Sequence, residues 1–327
     1  MVHIAFVIDP IETLNLKKDS TLAMIRAAQQ REWRISILEQ SDLVWDGERV
    51  TAFIRDLRLE DGFAKSLDPA QASSQWFQCA EEEALPLGEI NIVMMRKDPP
   101  FDMDYIYSTY LLERGQSEGA LVVNNPRSLR DCNEKFFATA FANFQPPSLV
   151  SSREDLLLAF HRKHHDVIFK KLDGMGGVGI FRASKSDPNV RVIVETLTDD
   201  GKRQIMAQKY IPEIVDGDKR ILLIDGEPLP YALARIPASG ETRGNLAAGG
   251  TGVGQPLSPR DKEIAEALGP ELRARGLMFV GIDVIGNYLT EVTVTCPTCI
   301  REIDASFGLD IAAMLLDAIE QKLRDAQ

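Results

Sequence analysis

Lys170-Lys-Leu-Asp-Gly-Met-Gly-Gly-Val-Gly-Ile-Phe181 places a lysine just before a loop with glycine at 174, 176, 177 and 179. Residues 166–172 read as a strand, and residues 180–183 read as another strand rather than a helix. A Walker-type phosphate loop needs a helix after its glycines, so the strand here argues against that arrangement. What remains is a glycine-rich flap between antiparallel strands, whose backbone N–H groups can lie over phosphates with the strand lysine beneath. An ordinary glycine hairpin is the competing reading.

A chain of 327 residues suggests two or three domains and a core that needs no staples. Its formal net charge of -12 speaks against a nucleic-acid partner, because phosphate contacts need a concentrated basic surface. The apolar run over residues 2–8 has no basic flank and no small-residue cleavage site, and no later run approaches the length of a membrane span. The expectation is a cytoplasmic protein with no membrane partner. Cys79, Cys132, Cys296 and Cys299 suggest no disulfide framework. The pair Cys296-Pro-Thr-Cys299 has no second pair for zinc and reads as two reduced thiols.

The first stretch alternates between strand and helix: strand 2–8, helix 20–31, strands 34–38 and 90–95, helix 102–118, strand 121–123. That pattern predicts a parallel sheet with crossover helices, and Asp9-Pro10 ends the first strand where ligands approach such sheets. Asn124-Asn-Pro126 reads as a boundary. Beyond it come helices over 133–144 and 152–163 and then the flap hairpin, an α+β unit ending near Gly201. Strands over 204–211, 219–223 and 231–236, a helix over 259–275, two more strands and a final helix complete the chain. The predicted domains are therefore 1–124, 125–202 and 203–327. Residues 237–256 form one long irregular segment rich in glycine, and loops of that length in a folded domain are usually lids. His161, His164 and His165 have no acids at ligand spacing and are assigned to the surface.

Residues 278–285 and 289–294 predict a hairpin. A two-residue Gly286-Asn287 turn would set Ile282 opposite Glu291 and mix polar with apolar residues on both faces. A three-residue loop pairs Val280 with Val294, Ile282 with Val292 and Val284 with Thr290, which gives a mostly apolar face. On the other face Asp283 then lies opposite Glu291, and Gly281 opposite Thr293. Like charges so placed destabilise a sheet unless a cation sits between them. An oxygen-only set with room for water suits Mg²⁺ bridging phosphates better than zinc. Two acids on a solvated face are the competing reading. Arg220, Arg235 and Arg243 surround the same region and point to an anionic substrate. Lys17-Lys18 and Arg96-Lys97 follow strands of the first domain and are further substrate-site candidates, with solvated loop charge as the plain alternative.

The motifs Met95-Arg-Lys-Asp-Pro-Pro-Phe101, Asn124-Asn-Pro-Arg-Ser-Leu-Arg-Asp-Cys-Asn-Glu-Lys135, Asp216-Gly-Asp-Lys-Arg220, Leu233-Ala-Arg-Ile-Pro237, Glu241-Thr-Arg-Gly-Asn-Leu-Ala-Ala-Gly-Gly250 and Pro297-Thr-Cys-Ile-Arg-Glu302, with the flap, carry a resemblance that covers nearly the whole chain. The chain resembles the prokaryotic-type glutathione synthetases of the ATP-grasp superfamily. That resemblance implies an α/β and α+β protein, an ATP-grasp fold preceded by a parallel-sheet N-terminal domain. It implies a ligase that uses ATP with Mg²⁺, or Mn²⁺, to join γ-glutamylcysteine to glycine through an acyl phosphate, in a homo-oligomer that is commonly a tetramer.

By position, the resemblance implies that Lys135 and Lys170 contact nucleotide phosphates beneath a flap of Gly174, Met175, Gly176 and Gly177. Gln208, Tyr210 and Ile211 would border the adenine, and Asp218 would meet the ribose. Asp283, Glu291 and Thr293 would hold the metal, while Arg220, Arg235 and Arg243 would act as catalytic residues on substrate and transferring phosphate. Lys18, Arg96 and Gly250 would complete the substrate site, under a lid over residues 238–251. Three positions depart from the family pattern: Thr293 where asparagine is usual, Cys296 where serine is usual and Lys171 where proline is usual. A ligase with a different acceptor and a nucleotide-binding regulator of weak activity are the alternatives.

Overall fold

The computed structural model describes residues 1–325. Seven strands form the first sheet: β1 (His3–Val7), β2 (Arg34–Leu38), β3 (Leu43–Trp45), β4 (Val50–Leu59), β5 (Phe77–Pro86), β6 (Ile92–Met95) and β7 (Leu121–Val123). Every residue of β1 is buried, as expected of an apolar run flanked on both edges by parallel neighbours, here β2 and β6. The helices of this unit are α1 (Ser20–Gln30), α2 (Asp61–Ser66) and α3 (Met103–Ser117), and α4 (Pro126–Asp131) comes after them. Asp19 caps α1 by accepting from the Thr21 and Leu22 N–H groups. α4, which follows the expected boundary at residue 124, packs on α3.

The sheet is mixed rather than wholly parallel. β4 runs antiparallel to β2, β3 and β5, a half of the sheet that the residue pattern did not announce. The reason lies in β5, whose Phe77-Gln-Cys-Ala-Glu-Glu-Glu-Ala-Leu-Pro86 is exposed over most of its length and shows no period-two alternation. Backbone pairing along β4 holds it, not a buried face.

The second unit contains α5 (Glu134–Phe137), β8 (Ser148–Ser151), α6 (Glu154–His164), β9 (Val167–Lys171), β10 (Ile180–Ala183), α7 (Val190–Thr198) and β11 (Ile205–Lys209). The helix expected over 133–144 stops at Phe137 and continues as 3₁₀ turns, with Phe141 outside helical geometry. The sheet order is β10-β9-β11-β8, and Leu157, Phe169, Val194 and Ala207 form its separate core. The flap hairpin forms as expected, with Lys170 opposite Ile180. His161 is not a surface residue: it is buried, and its Nε2 donates to the Ser184 carbonyl oxygen at 3.0 Å.

The third unit holds β12 (Asp218–Ile224), β13 (Glu227–Ile236), β14 (Thr251–Pro256), α8 (Pro259–Ala274), β15 (Phe279–Ile285), β16 (Tyr288–Thr293), α9 (Ile300–Phe307) and α10 (Ile311–Asp325). Its strands are antiparallel in the order β14-β13-β12-β15-β16. The segment expected to be wholly irregular is shorter than its glycines suggested, because residues 251–256 pair with β13 as an edge strand. α10 returns to the first unit, where Asp317 meets Arg31 at 2.5 Å.

The first and third sheets share continuous cores. Phe6 and Ile25 cluster with Leu222, Leu233 and Leu315, and Val93 and Leu112 cluster with Ile221, Val280 and Val292. Asn124 pins the junction: its Nδ2 donates to the Phe279 and Val294 carbonyls at 2.7 and 2.8 Å, and its Oδ1 accepts from the Phe279 N–H at 2.9 Å. An Asn124→Leu exchange strips all three buried backbone groups of their partner, and should cost about 3 to 9 kcal/mol at roughly 1–3 kcal/mol per orphaned group. Urea unfolding measures this, and a loss below about 1 kcal/mol would show that the amide is not a clamp.

Candidate active site

The three units enclose a cavity of about 710 Å³. Its floor is a ladder of opposite charges on the third sheet. Strand register sets Asp218 beside Arg235 across β12 and β13, and Arg220 beside Asp283 across β12 and β15. Arg220 Nε donates to Asp283 Oδ1 at 2.6 Å and its Nη2 to Oδ2 at 3.1 Å. Arg235 Nη2 reaches Asp218 Oδ2 at 2.5 Å and Asp283 Oδ2 at 2.8 Å. Burial alone would raise the Asp283 carboxyl, but Arg220 and Arg235 hold it down at about 2. Burial lifts Asp218 to about 6 against the pull of Arg235. Gly281 makes room for the ladder, since a Cβ there would lie 2.9 Å from Arg220 Cδ.

The acids of the last hairpin face one another as expected, Asp283 with Glu291 and Gly281 with Thr293. The turn, however, is not the three-residue loop that this register implied. Ile285 pairs with Tyr288 and Val284 with Leu289, so the turn is Gly286-Asn287, and a bulge at Thr290 shifts the count back. Thr290 Oγ1 donates to the Asp283 carbonyl at 3.1 Å. Nor is the space beside Gly281 open, because Arg220 fills it.

Two buried lysines stand over this floor. Lys135 Nζ donates to Glu291 Oε1 at 3.2 Å and to the Gly174 carbonyl of the flap at 2.5 Å. Burial opposes its charge, but Glu291 and Glu134 outweigh that and keep the ammonium protonated. Among the described residues Lys170 Nζ has only neutral acceptors, Gln208 Oε1 at 3.2 Å and the Thr290 carbonyl at 3.4 Å. Burial pushes it down to about 8. Gln208, Tyr210 and Ile211 continue along one wall with Ile168, Ile180 and Ile214, an apolar slot suited to a flat ring. Arg182, paired with Asp166, stacks on the Tyr210 ring at 3.7 Å.

The lid segment rests on the flap. Arg243 Nη1 donates to the Gly177 carbonyl at 3.2 Å, and its Nη2 pairs with Glu241 at 2.5 Å. Gly174, Met175, Gly176 and Gly177 line the cavity from the flap side, and Lys18 and Arg96 line it from the first unit. Gly250 does not line it: this glycine packs on the backbone of Gly244, where a Cβ would collide with the carbonyl oxygen. Glu134 was not anticipated. Its Oε1 accepts from the Val294 and Thr295 N–H groups and the Thr295 hydroxyl at 2.9, 3.0 and 2.7 Å, which fixes the end of β16 beside the acids. A glutamate next to a lysine reads as solvated charge, so only burial reveals it.

Among the described residues no three His, Cys, Asp or Glu side chains converge as a metal cage. Asp283, Glu291 and Thr293 nevertheless line the cavity together and offer only hard oxygen. Two carboxylates and a hydroxyl fit a cation such as Mg²⁺, which keeps waters and takes its remaining ligands from phosphates.

Comparison with known proteins places these features in a family context. The family model described as prokaryotic glutathione synthetase, N-terminal domain, matches residues 2–130. The one described as prokaryotic glutathione synthetase, ATP-grasp domain, matches residues 134–308. Glutathione synthetase of Pseudomonas putida is 57% identical over 323 residues, covering 99% of each chain. That of Shewanella oneidensis is 53% identical over 323 residues, again 99% of each. Among solved structures, D-cycloserine synthetase DcsG aligns with a TM-score of 0.65 at 13% identity, over 98% of this chain and 99% of its own. ATP-grasp ligase PsnB, complexed with minimal precursor, Mg and ADP, gives 0.60 at 15% identity over 98% of each. These two likenesses carry the fold.

A polyphosphate seated against Lys170 should restore the charge that burial removes. Nucleotide binding at pH 8.5 is therefore expected to take up a proton, visible as a dependence of the calorimetric heat on the buffer's ionisation enthalpy, and Lys170→Met should abolish most of it. Affinity should fall as pH rises through about 8. Equal uptake by the variant would contradict this assignment.

Proposed function

The chain belongs to the prokaryotic glutathione synthetase family and is an ATP-dependent ligase of glutathione synthesis; from that premise we propose how its own residues carry the reaction. The cysteinyl carboxylate of γ-glutamylcysteine attacks the γ-phosphorus of ATP, giving an acyl phosphate and ADP. The amine of glycine then attacks the acyl carbon, phosphate leaves, and the nitrogen loses a proton as the amide forms. The observation that carries this reading is the convergence of Lys135, Lys170, Arg220 and Arg235, all buried, on one cavity beside two carboxylates.

Both steps gather negative charge on phosphoryl and acyl oxygens. Preorganised cations stabilise that charge at little reorganisation cost. Lys135 and Lys170 hold the nucleotide phosphates, the slot at Gln208, Tyr210 and Ile211 takes the adenine, and Asp218 faces the ribose. Arg220, Arg235 and Arg243 act by charge on the substrate and the transferring phosphate. Asp283, Glu291 and Thr293 would hold Mg²⁺, or Mn²⁺, which when bound supplies further neutralisation of phosphate charge. Lys18 and Arg96 bind the dipeptide, and the lid keeps water from the acyl phosphate. No protein nucleophile takes part: burial pushes up both thiols that line the cavity, Cys296 to about 12 and Cys299 in the same direction. The domains are 1–124, 125–202 and 203–327, and the enzyme works in the cytoplasm as a homotetramer. The exposed Met103, Tyr107 and Tyr110 stripe of α3 offers a surface for subunit contact.

The direct test is phosphate release with ATP, Mg²⁺, γ-glutamylcysteine and glycine, omitting each in turn. Release is expected only with all four and with glutathione as product. Release without glycine would point to another acceptor, and nucleotide binding with no release would point to a regulator. A substitution of Arg235 mixes two effects, since it also strands two buried carboxylates. Arg243 is cleaner because it lies on the lid. Arg243→Ala should lower kcat about 10²- to 10³-fold, as loss of one charge-stabilising donor does, with the unfolding midpoint unchanged; unaltered kcat would remove Arg243 from the mechanism.

A further inference from the structure

Strand register carries one face of the second sheet outward from the cavity. Lys170 lies opposite Ile180 and Met206, and Ile168 lies opposite Arg182 and Gln208. Side chains alternate along a strand, so these residues share a face. Lys170, Ile180, Ile168 and Gln208 line the cavity on that face, and Arg182 lies outside it. One step further out the same face joins Asp166 to Tyr210. Val167 still pairs with Lys209, and just past the ladder the Tyr210 N–H donates to the Asp166 carbonyl at 3.0 Å. Tyr210 lines the cavity, whereas Asp166 does not. The side chains of the outer residues meet: Arg182 Nε donates to Asp166 Oδ1 at 3.0 Å and its Nη2 to Oδ2 at 2.7 Å, and the guanidinium carbon lies 3.7 Å from the centre of the Tyr210 ring.

Tyr210 and Ile211 are also the link from β11 to the 3₁₀ turn over residues 212–216 that leads into β12. This wall of the slot is therefore the crossing from the second unit to the third. The Arg182 and Asp166 side chains are 37% and 34% exposed, and an ion pair so exposed adds little to the stability of a fold. What its two parallel hydrogen bonds do supply is direction, since they fix where the planar guanidinium lies, and the guanidinium in turn covers the ring. We infer that Asp166 and Arg182 are positioning residues for nucleotide binding: Asp166 aligns Arg182, Arg182 holds the Tyr210 ring, and the ring keeps the outer end of the slot shaped for the base of ATP. The inference rests on the reading of this slot as the one that takes the base, and it adds two residues that lie outside the cavity. In that reading the phosphates meet Lys135 and Lys170 and the chemistry lies over the third sheet. Loss of the pair therefore weakens binding of the base and leaves turnover of bound nucleotide intact.

The test measures calorimetric ATP affinity and steady-state rates for the wild type, Arg182→Ala, Asp166→Asn, Tyr210→Ala and the double variant Arg182→Ala/Tyr210→Ala. Inorganic tripolyphosphate serves as a competitor that has no base. Arg182→Ala should weaken ATP binding and raise KM for ATP about three- to tenfold, the range of a partly exposed cation–π contact. Its kcat at saturating ATP, its KM for γ-glutamylcysteine and its inhibition by tripolyphosphate should match the wild type. Asp166→Asn should shift ATP affinity in the same direction, and it decides the matter should Arg182→Ala fail to fold. The double variant should bind ATP as weakly as Tyr210→Ala alone. Wild-type ATP affinity in Arg182→Ala and Asp166→Asn overturns the inference. So does an equal loss of tripolyphosphate binding, which would show Arg182 acting by charge on the phosphates, and so do additive losses in the double variant. Wild-type ATP affinity in Tyr210→Ala overturns the reading of the slot and the positioning role with it.

Discussion

Asp283 is buried with Arg220 on one side and Arg235 on the other, and Arg235 in turn holds Asp218. Taking one member away from such a set typically costs about 3 to 5 kcal/mol, because the charge left behind has no water. The set cannot relax independently, since its members sit on three adjacent strands in fixed register. Gly281 and the bulge at Thr290 follow from the same need: one admits the Arg220 side chain, and the other returns Glu291 to the face of Asp283. A floor of this kind presents charge that needs no rearrangement when an anion arrives.

The second unit is joined to that floor through α5, where Glu134 and Lys135 meet the end of β16 and Glu291, and through Lys170 on β9. Lys135 ties Glu291 to the flap carbonyl at Gly174, and Arg243 ties the lid to the flap at Gly177. The flap and its sheet have a separate core around Phe169. Polyphosphate binding would replace the Lys135 and Arg243 contacts with stronger, charge-assisted ones.

Much of this was legible before any coordinates. Strands with buried or largely apolar residues, such as β1, β2 and β15, fall where their pattern puts them, and the pairing of Asp283 with Glu291 followed from keeping one face of the hairpin apolar. What escaped detection did so for physical reasons. β5 is an exposed edge with three successive glutamates, so no periodicity marks it. The bulge at Thr290 costs no change in pattern, because it restores the same faces that a longer turn would have given. His161 and Glu134 carry polar side chains whose burial depends on distant partners, Ser184 and the end of β16. The family resemblance put Gly250 with the substrate, whereas in the fold its glycine is required by the nearby Gly244 backbone.

The central claim is that this charged floor serves the activation of a carboxylate as an acyl phosphate. Labelling both oxygens of the cysteinyl carboxylate of γ-glutamylcysteine with ¹⁸O and analysing the phosphate released tests it directly. The account predicts one labelled oxygen in the phosphate for every glutathione formed, since that oxygen leaves with the phosphoryl group. Glutathione formed with unlabelled phosphate would contradict it.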